Sequence, residues 1–493
     1  MTHYYENLEK FPVKADPPKG ALKGVLKDIF TAKPRSSTEL FKEFEKCLPL
    51  TTHWQHPLYF SFFPGNSPPS AIYGDMANTA MNEGFNLTPD VTEKRNVEVE
   101  LKVMDWVADL LDLPECYFPK NGAHALIANT AGHTFLLASL AAKNKIQMEH
   151  YPNSIVNKQV GYMTPISNLA VERSIKFSNL KLHHIECERE DHLVDEFPLK
   201  AESIEREFQK DIDNGLVPTI FITSLGSTAS LSIENVKEIS KACQKYGVWL
   251  HVDSAQLGVY AALPELRFVL DDIELADSFT TNGHKSLGCG MGTSFMWIKH
   301  QDYPKYMSYN SESGGNITAS SAASATNSDE LPISSTQPSP EPYRSDVFIT
   351  GPSKNRAIRT MIHLLSLGKK EIKDHLTTTL VLADYFRELM AADERFELME
   401  TKNKFPLVMF RLKGFTNDEN HDFLNLVMKD NKIFVVSSSI QTTYSDDKES
   451  DDQDSEVMFI RLNVGTLTHE KKHILQAFTH IQDCAAEYLG DKQ

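Results

Sequence analysis

The chain has 493 residues, 41% of them hydrophobic and 24% charged, with 50 Lys and Arg against 67 Asp and Glu for a formal net charge of −17. This is an ordinary globular composition in a chain too long for one hydrophobic core, so a large domain with smaller flanking ones is expected. The acidic balance argues against nucleic acid or an anionic membrane as the main partner, and apolar runs such as Leu136–Ala142 fall far short of the ~20 residues that cross a bilayer.

The segment Met1–Lys14 is polar and mixed in charge, without a basic start followed by an apolar run, which makes the cytosol the expected location. Cys47, Cys116, Cys187, Cys243, Cys289 and Cys484 are scattered without metal-type pairing and read as reduced thiols. The first ~80 residues read as helices joined by Pro-containing turns. Among them is Ser37–Cys47, with Ser37 or Thr38 as cap and Leu40, Phe41 and Phe44 at helical spacing. The stretch from Phe60 to Pro69 interrupts this pattern. An apolar-periodic helix follows over Val97–Leu111, ending ahead of Pro114.

Between about 130 and 300 the pattern alternates helix with short apolar strand. Gln159–Met163, Pro218–Thr223, Val248–Val252 and Thr293–Ile298 read as strands, and Val236–Tyr246 as a helix closed by Gly247. Such alternation predicts an α/β fold, a mostly parallel sheet with helices on both faces, and ligands at the carboxyl ends of its strands. Ser311–Pro342, rich in Ser, Ala, Thr and Asn, reads as a loop, and the acidic run Ser445–Glu456 as a solvated one. The last ~110 residues read as an α+β unit, with strands at Phe405–Leu412 and Val457–Leu462 and helices at Asn417–Lys429 and Thr468–Tyr488. The expected division is an N-terminal helical segment over 1–83, a large domain over 84–375 and a C-terminal α+β domain over 376–493.

Two strand ends carry chemistry. Trp249–Ala255 (WLHVDSA) finishes a buried strand on Asp253, and a buried carboxylate needs a positive partner. Thr281–Ser286 (TNGHKS) places Lys285 in a turn ahead of a glycine-rich stretch. Pyridoxal phosphate matches both, since its pyridinium N–H is a cation and its aldehyde condenses with an amine. Asn129–Thr134, just ahead of the helical run Phe135–Lys143, offers free N–H groups and a positive dipole end to a phosphate.

With those residues stand THWQHPLYFSFFP (Thr52–Pro64), VEVELKVMDWVADLLDLPE (Val97–Glu115), SLGSTASLSIEN (Ser224–Asn235), ADSFTTNGHKS (Ala276–Ser286) and FRLKG (Phe410–Gly414). In order, spacing and context the set resembles the aromatic-L-amino-acid decarboxylase family of pyridoxal-phosphate enzymes. The resemblance implies a fold-type-I transferase-like large domain and a homodimer with its active site at the interface. Carried over by position, Lys285 forms the Schiff base, Asp253 pairs with the pyridinium nitrogen, Ala255 packs beneath the ring and Thr228 lies nearby. Thr130, Ala131, Gly132, Asn282 and His284 fall at the phosphate, Trp54, Phe62, Phe63 and Pro64 on the substrate side, and Phe85 reaches over from the partner subunit. Phe62, Phe63 and Phe85 suit an aromatic side chain. Glu83 replaces a usually aliphatic residue and faces a ring hydroxyl, an indole N–H, a basic side chain such as histidine, or solvent. His56, His183 and His184 read as structural, for want of a third metal ligand at sensible spacing.

Departures from the family pattern bear on the reaction. Asn168 stands where amine-forming members place a histidine over the ring, and an amide cannot relay a proton near neutral pH. The family's loop tyrosine is absent, Ser313 or Gly314 falling at its place, with Tyr309 and Tyr343 flanking. Aromatic acetaldehyde synthase branches of the family also lack this proton donor. The sequence therefore predicts decarboxylation of an aromatic L-amino acid coupled to molecular oxygen, giving aldehyde, ammonia and hydrogen peroxide. The alternatives are a simple decarboxylase releasing an aromatic amine or histamine, and a cofactor-binding relic with an interaction role. Gly283 and Ser286 in place of Pro and Trp, and Gly65 in place of a hydroxyl residue, favour the relic. Lys285, Asp253 and Thr228 together argue against it.

Overall fold

The computed structural model describes residues 2–25, 34–81, 91–151, 157–187, 193–195, 197–307, 356–441 and 456–490. Its centre is a seven-stranded sheet of β1 (His124–Ala128), β2 (Gln159–Met163), β3 (Lys181–His184), β4 (Val217–Ser224), β5 (Trp249–Asp253), β6 (Ser278–Asn282) and β7 (Ser294–Ile298), in the order β1-β7-β6-β5-β4-β2-β3. Only β7 runs against the rest. Strands β2, β5, β6 and β7 are buried along their whole length. Near-continuous burial without alternation is what helices on both faces of a parallel sheet impose.

The helices are set by local signals. Val236–Tyr246 starts at Asn235, whose side chain accepts the Glu238 N–H, and stops at Gly247 in the left-handed conformation (φ 67°), where glycine meets no Cβ penalty. Val236, Ile239, Ala242 and Cys243 form its buried face. Ala131–His150 starts at Thr130, whose hydroxyl accepts the His133 N–H. All six cysteines are unbonded, and among the described residues no helix is long and apolar enough to cross a membrane.

A second sheet holds β8 (Phe396–Leu398), β9 (Leu407–Leu412), β10 (Val436–Gln441) and β11 (Glu456–Asn463), all antiparallel, in the order β10-β11-β9-β8. Asn417–Met428, Lys471–Gly490 and the second half of Arg356–Ala391 pack on it. The last of these is broken at Gly368 (φ 70°, ψ 169°), so it is two helices end to end, and residue 375 lies inside the second. The N-terminal segment is woven into this unit: Phe60 sits in its core, its N–H donates to the Phe434 carbonyl and its own carbonyl accepts the Asn463 N–H.

Element limits differ from the sequence reading in instructive ways. The helix expected at Ser37–Cys47 spans Ser37–Glu45, and its cap is Ser36, which forms a reciprocal capping box with Glu39. Its apolar residues Leu40, Phe41 and Phe44 are exposed. The helix expected from Val97 starts at Val91, and that expected from Thr468 starts at Lys471. β3, with the sequence KLHH and partly exposed, has no apolar run to announce it. The loop Ser311–Pro342 lies outside the described residues, as do 445–455 of the acidic run.

Candidate active site

The carboxyl ends of β4, β5 and β6 converge, with Ser224 paired to Asp253 and Asp253 to Thr280. Asp253 is 8% exposed. One carboxylate oxygen accepts the Ala255 N–H at 2.9 Å, so Ala255 orients the acid as well as packing beside it. Burial pushes the Asp253 carboxyl upward, against the Ala255 N–H and the Lys285 charge. Among the described residues no cation lies within ion-pairing distance of it.

Lys285 sits in the turn that follows β6. Its carbonyl accepts the Gly288 N–H at 3.0 Å and the Asn66 side-chain amide at 3.0 Å. Gly288, Gly290 and Gly292 take φ of +74°, +79° and +79°, a backbone course open to glycine at no steric cost. The Lys285 Nζ lies 5.3 Å from the Phe63 ring centre, and the Arg461 guanidinium 5.2 Å from the same ring. Desolvation lowers the Lys285 amine to about 8. Asp253 opposes that shift and Arg461 adds to it.

Two residues that the sequence reading passed over belong to this cluster. Arg461, on β11, is 4% exposed, and its Nε and Nη2 have no hydrogen-bond partner. Desolvation lowers it to about 10. A buried guanidinium with idle donors calls for an anion. Asn66, fully buried, donates Nδ2 to the carbonyls of Lys285 (3.0 Å) and Gly465 (2.7 Å), while its Oδ1 accepts the Leu467 N–H at 3.2 Å. It ties the N-terminal segment, the lysine turn and the end of β11 at one point. In sequence Asn66 lies in PGNSPP and reads as an ordinary turn residue; its only signal was that family-like segments flank it.

Asn168 caps the helix Leu169–Phe177: its Oδ1 accepts the Ala170 N–H at 2.8 Å and its Nδ2 donates to the Thr228 hydroxyl at 2.7 Å. Thr130, Ala131 and Gly132 form the start of the helix after β1. Asn282 is buried, its Oδ1 taken by the Ser294 hydroxyl at 2.6 Å. His284 approaches the Thr293 carbonyl through Nδ1 at 2.7 Å, and burial holds it down at about 4. Phe62 has φ 52°, a left-handed backbone rare outside glycine. There Phe62 is exposed, stacked with Trp54 at 6.2 Å and set edge-on to Phe434 at 6.3 Å, while Phe63 faces Lys285. Pro64 is buried beside Gly465. Glu83, Phe85, Tyr309, Ser313, Gly314 and Tyr343 lie outside the described residues. His183 is held by Asp211 and Glu207, and His56 accepts the Leu58 N–H.

The departures around the lysine are occupied by other groups. A Cβ on Gly283 would come within 2.5 Å of the Phe295 ring. Ser286 is buried in a hydroxyl and amide network, 3.2 Å from Gln256 Nε2 and 3.2 Å from the Tyr260 hydroxyl. The Met291 thioether occupies the space beside Gly65, with sulfur 2.3 Å from where a Cβ would stand.

A carboxylate without a paired cation, a lysine of lowered basicity and a guanidinium with two idle nitrogens are electrostatically incomplete, and pyridoxal phosphate fits: a ring nitrogen for Asp253, an aldehyde for Lys285 and a phosphate for the helix start at Thr130. Residues 20–308 match the model of the pyridoxal-dependent decarboxylase conserved domain. The chain belongs to the pyridoxal-dependent decarboxylase family. It is thus a carboxy-lyase that uses pyridoxal phosphate. It is 27% identical over 506 residues to phenylacetaldehyde synthase of Petunia hybrida, covering 99% of this chain and 93% of that protein. It is 27% identical over 510 residues to aromatic-L-amino-acid decarboxylase of Mus musculus, covering 99% and 96%. The crystal structure of Oryza sativa TDC with PLP and tryptamine superimposes with a TM-score of 0.83 at 22% identity, covering 99% of this chain and 95% of that one. That likeness establishes the fold-type-I architecture of the decarboxylase.

Proposed function

We propose that this decarboxylase removes the α-carboxylate of an aromatic L-amino acid and passes the resulting electron pair to molecular oxygen, so that its product is an aromatic acetaldehyde. The balanced reaction takes one amino acid, one O2 and one water to one aldehyde, CO2, ammonia and hydrogen peroxide. Bound at this site, pyridoxal phosphate supplies an aldehyde that captures amines and a ring that accepts the electrons left when CO2 departs. Lys285 would hold the aldehyde, and its lowered basicity keeps a usable share of the amine neutral. Asp253, oriented by Ala255, would keep a proton on the ring nitrogen. Thr130, Ala131, Gly132, Asn282 and His284 would receive the phosphate. Arg461 is the cation for the substrate carboxylate, and Phe63, with Trp54, Phe62 and Pro64, would supply the apolar surface on the substrate side.

One observation carries the oxidative reading. The Asn168 amide is committed on both ends, its oxygen to the helix cap and its nitrogen to Thr228, and an amide has no proton to give near neutral pH. Without a proton donor at that place, protonation of Cα slows and oxygen competes. The phenylacetaldehyde synthases among its relatives support this reading. The reading also takes the enzyme as a homodimer, supported by the exposed apolar residues Tyr73, Met76, Met291 and Leu365, and keeps from the sequence the cytosolic location and the division near 83 and 375.

The test is product analysis of cofactor-loaded enzyme with a panel of aromatic amino acids and histidine, measuring CO2, amine, aldehyde and peroxide with and without oxygen. Aldehyde and peroxide equal to CO2 are expected. Amine equal to CO2 with no oxygen uptake would make it a simple decarboxylase, and bound cofactor without turnover would make it a relic.

A further inference from the structure

The phosphate cup described so far contains no cation. Thr130, Ala131 and Gly132 offer a helix start, Asn282 an amide, and His284 is held neutral by burial and the neighbouring Lys285 charge. A phosphate monoester near neutral pH carries a charge approaching −2, and arginine is the side chain whose planar fork matches it. The geometry points to Arg356, more than 200 residues further along the chain, as the missing cation: its guanidinium binds the outer oxygens of the cofactor phosphate and is aimed there by Asn129. This rests on the reading above that the phosphate sits at the helix start after Thr130.

Three contacts place Arg356 there. Its Nη2 donates to the side-chain oxygen of Asn129, the residue immediately before the helix cap Thr130. A Cβ at Gly292 would lie in ordinary contact with both partners, 3.8 Å from Arg356 Nε and 3.9 Å from the Asn129 carbonyl oxygen, so the β6–β7 turn, the helix start and the guanidinium are neighbours. His133, in the first turn of that helix, is lowered by burial and then by the Arg356 charge, which therefore reaches the helix start.

The next turn of the same helix fixes the approach. Arg359 is 6% exposed and has both terminal nitrogens committed elsewhere, donating Nη1 to Asp75 at 2.9 Å and Nη2 to the Thr293 hydroxyl at 2.5 Å. The Thr293 carbonyl in turn receives the His284 N–H at 3.1 Å. Arg359 thus holds the helix in register with the His284 side of the cup, and Arg356, three residues earlier, lies on the same helix face. Desolvation lowers the Arg356 guanidinium, Arg359 adds to that and Asp75 opposes it, but a guanidinium remains charged throughout the working range.

The experiment compares affinity for pyridoxal phosphate with affinity for pyridoxal, the same molecule without phosphate, by absorbance titration of the full chain stripped of cofactor. Competition by inorganic phosphate is measured alongside. Arg356→Gln is expected to weaken pyridoxal phosphate binding and inorganic phosphate competition roughly tenfold to a hundredfold, the loss of one charge-assisted contact, and to leave pyridoxal within about twofold. Arg356→Lys should recover part of the loss, and Asn129→Ala should give a smaller phosphate-specific loss. Equal weakening of both ligands in Arg356→Gln would mean that the arginine only holds the fold, and no weakening of either would mean that it does not meet the phosphate; both overturn the inference. Failure of the cup itself would look different: the wild-type protein would then bind pyridoxal as well as pyridoxal phosphate.

Discussion

The lowered basicity of Lys285 yields a prediction whose size follows from the structure. Desolvation, partly offset by Asp253, brings the amine from 10.5 to about 8. At pH 7 a lysine at 10.5 is neutral in about 0.03% of molecules, whereas one at 8 is neutral in about 9%, a gain of roughly 300-fold in the only form that can attack an aldehyde. In protein stripped of cofactor, Lys285 should therefore react with a small acylating reagent along a curve with its midpoint near pH 8. Surface lysines in the same sample should still be rising above pH 10. Peptide mass analysis after short exposures, across pH 6 to 11, reads both in one experiment. The two neighbours must move the midpoint in opposite directions. Asp253 raises the Lys285 basicity, so Asp253→Asn lowers the midpoint; Arg461 lowers it, so Arg461→Met raises it. A wild-type midpoint at 10 or above, or two variants shifting the same way, would refute the electrostatic account of this cluster.

Other expectations follow from single contacts. Asp253→Ala should retain cofactor attached to Lys285 yet lose roughly a hundredfold or more in turnover, the scale of one lost preorganised charge; near wild-type turnover would show that the ring nitrogen meets another group. Arg461→Met should raise KM for the amino acid far more than it weakens the affinity for a decarboxylated amine, measured as an inhibitor, because only the former carries a carboxylate. In Asn168→His the amine-to-aldehyde ratio should rise by roughly a hundredfold, within the range of a positioned proton donor, at a cost of about 1 kcal/mol for the lost helix cap; Asn168→Asp keeps the cap and should leave the ratio low. Asn66→Ala removes three side-chain hydrogen bonds at about 1 kcal/mol each, and should lower the urea midpoint and kcat together; a normal kcat would mean that the lysine turn holds its shape unaided.

How much of this was legible before the fold was known depended on the range over which each residue acts. Asn235 and Gly247 act within four residues, and local signals located the helix they bound, whereas the helix capped by Thr130 spans Ala131–His150 and reads in sequence only as Phe135–Lys143. Asp253 and Lys285 were legible because an acid ending an apolar strand and a lysine in a glycine-rich turn are informative in that order. Asn66 and Arg461 were not, since each works across the fold: Asn66 reaches partners 219 and 399 residues away, and asparagine between Gly and Pro looks like any turn residue. Arg461 within FIRLN looks like the solvent-facing alternate of a strand. Helical spacing likewise located the helix of Leu40, Phe41 and Phe44 without revealing that its apolar face is exposed.

The departures from the family pattern show the same limit from the other side. Gly283, Ser286 and Gly65 read in sequence as losses, and losses around a catalytic lysine suggest decay. In the fold each missing side chain is answered by a neighbour: the Phe295 ring stands against Gly283, Tyr260 and Gln256 bond Ser286, and Met291 occupies the space beside Gly65. These positions are filled to ordinary packing density, while Gln256 Oε1 and Thr281 Oγ1 nearby have no hydrogen-bond partner among the described residues. A small residue at 283 thus stands against an aromatic at 295, and a hydroxyl at 286 accepts from two donors, which favours the proposed active site over a relic. The substitution that does lack a chemical replacement, the histidine position now held by Asn168, is the one on which the proposed change of reaction rests.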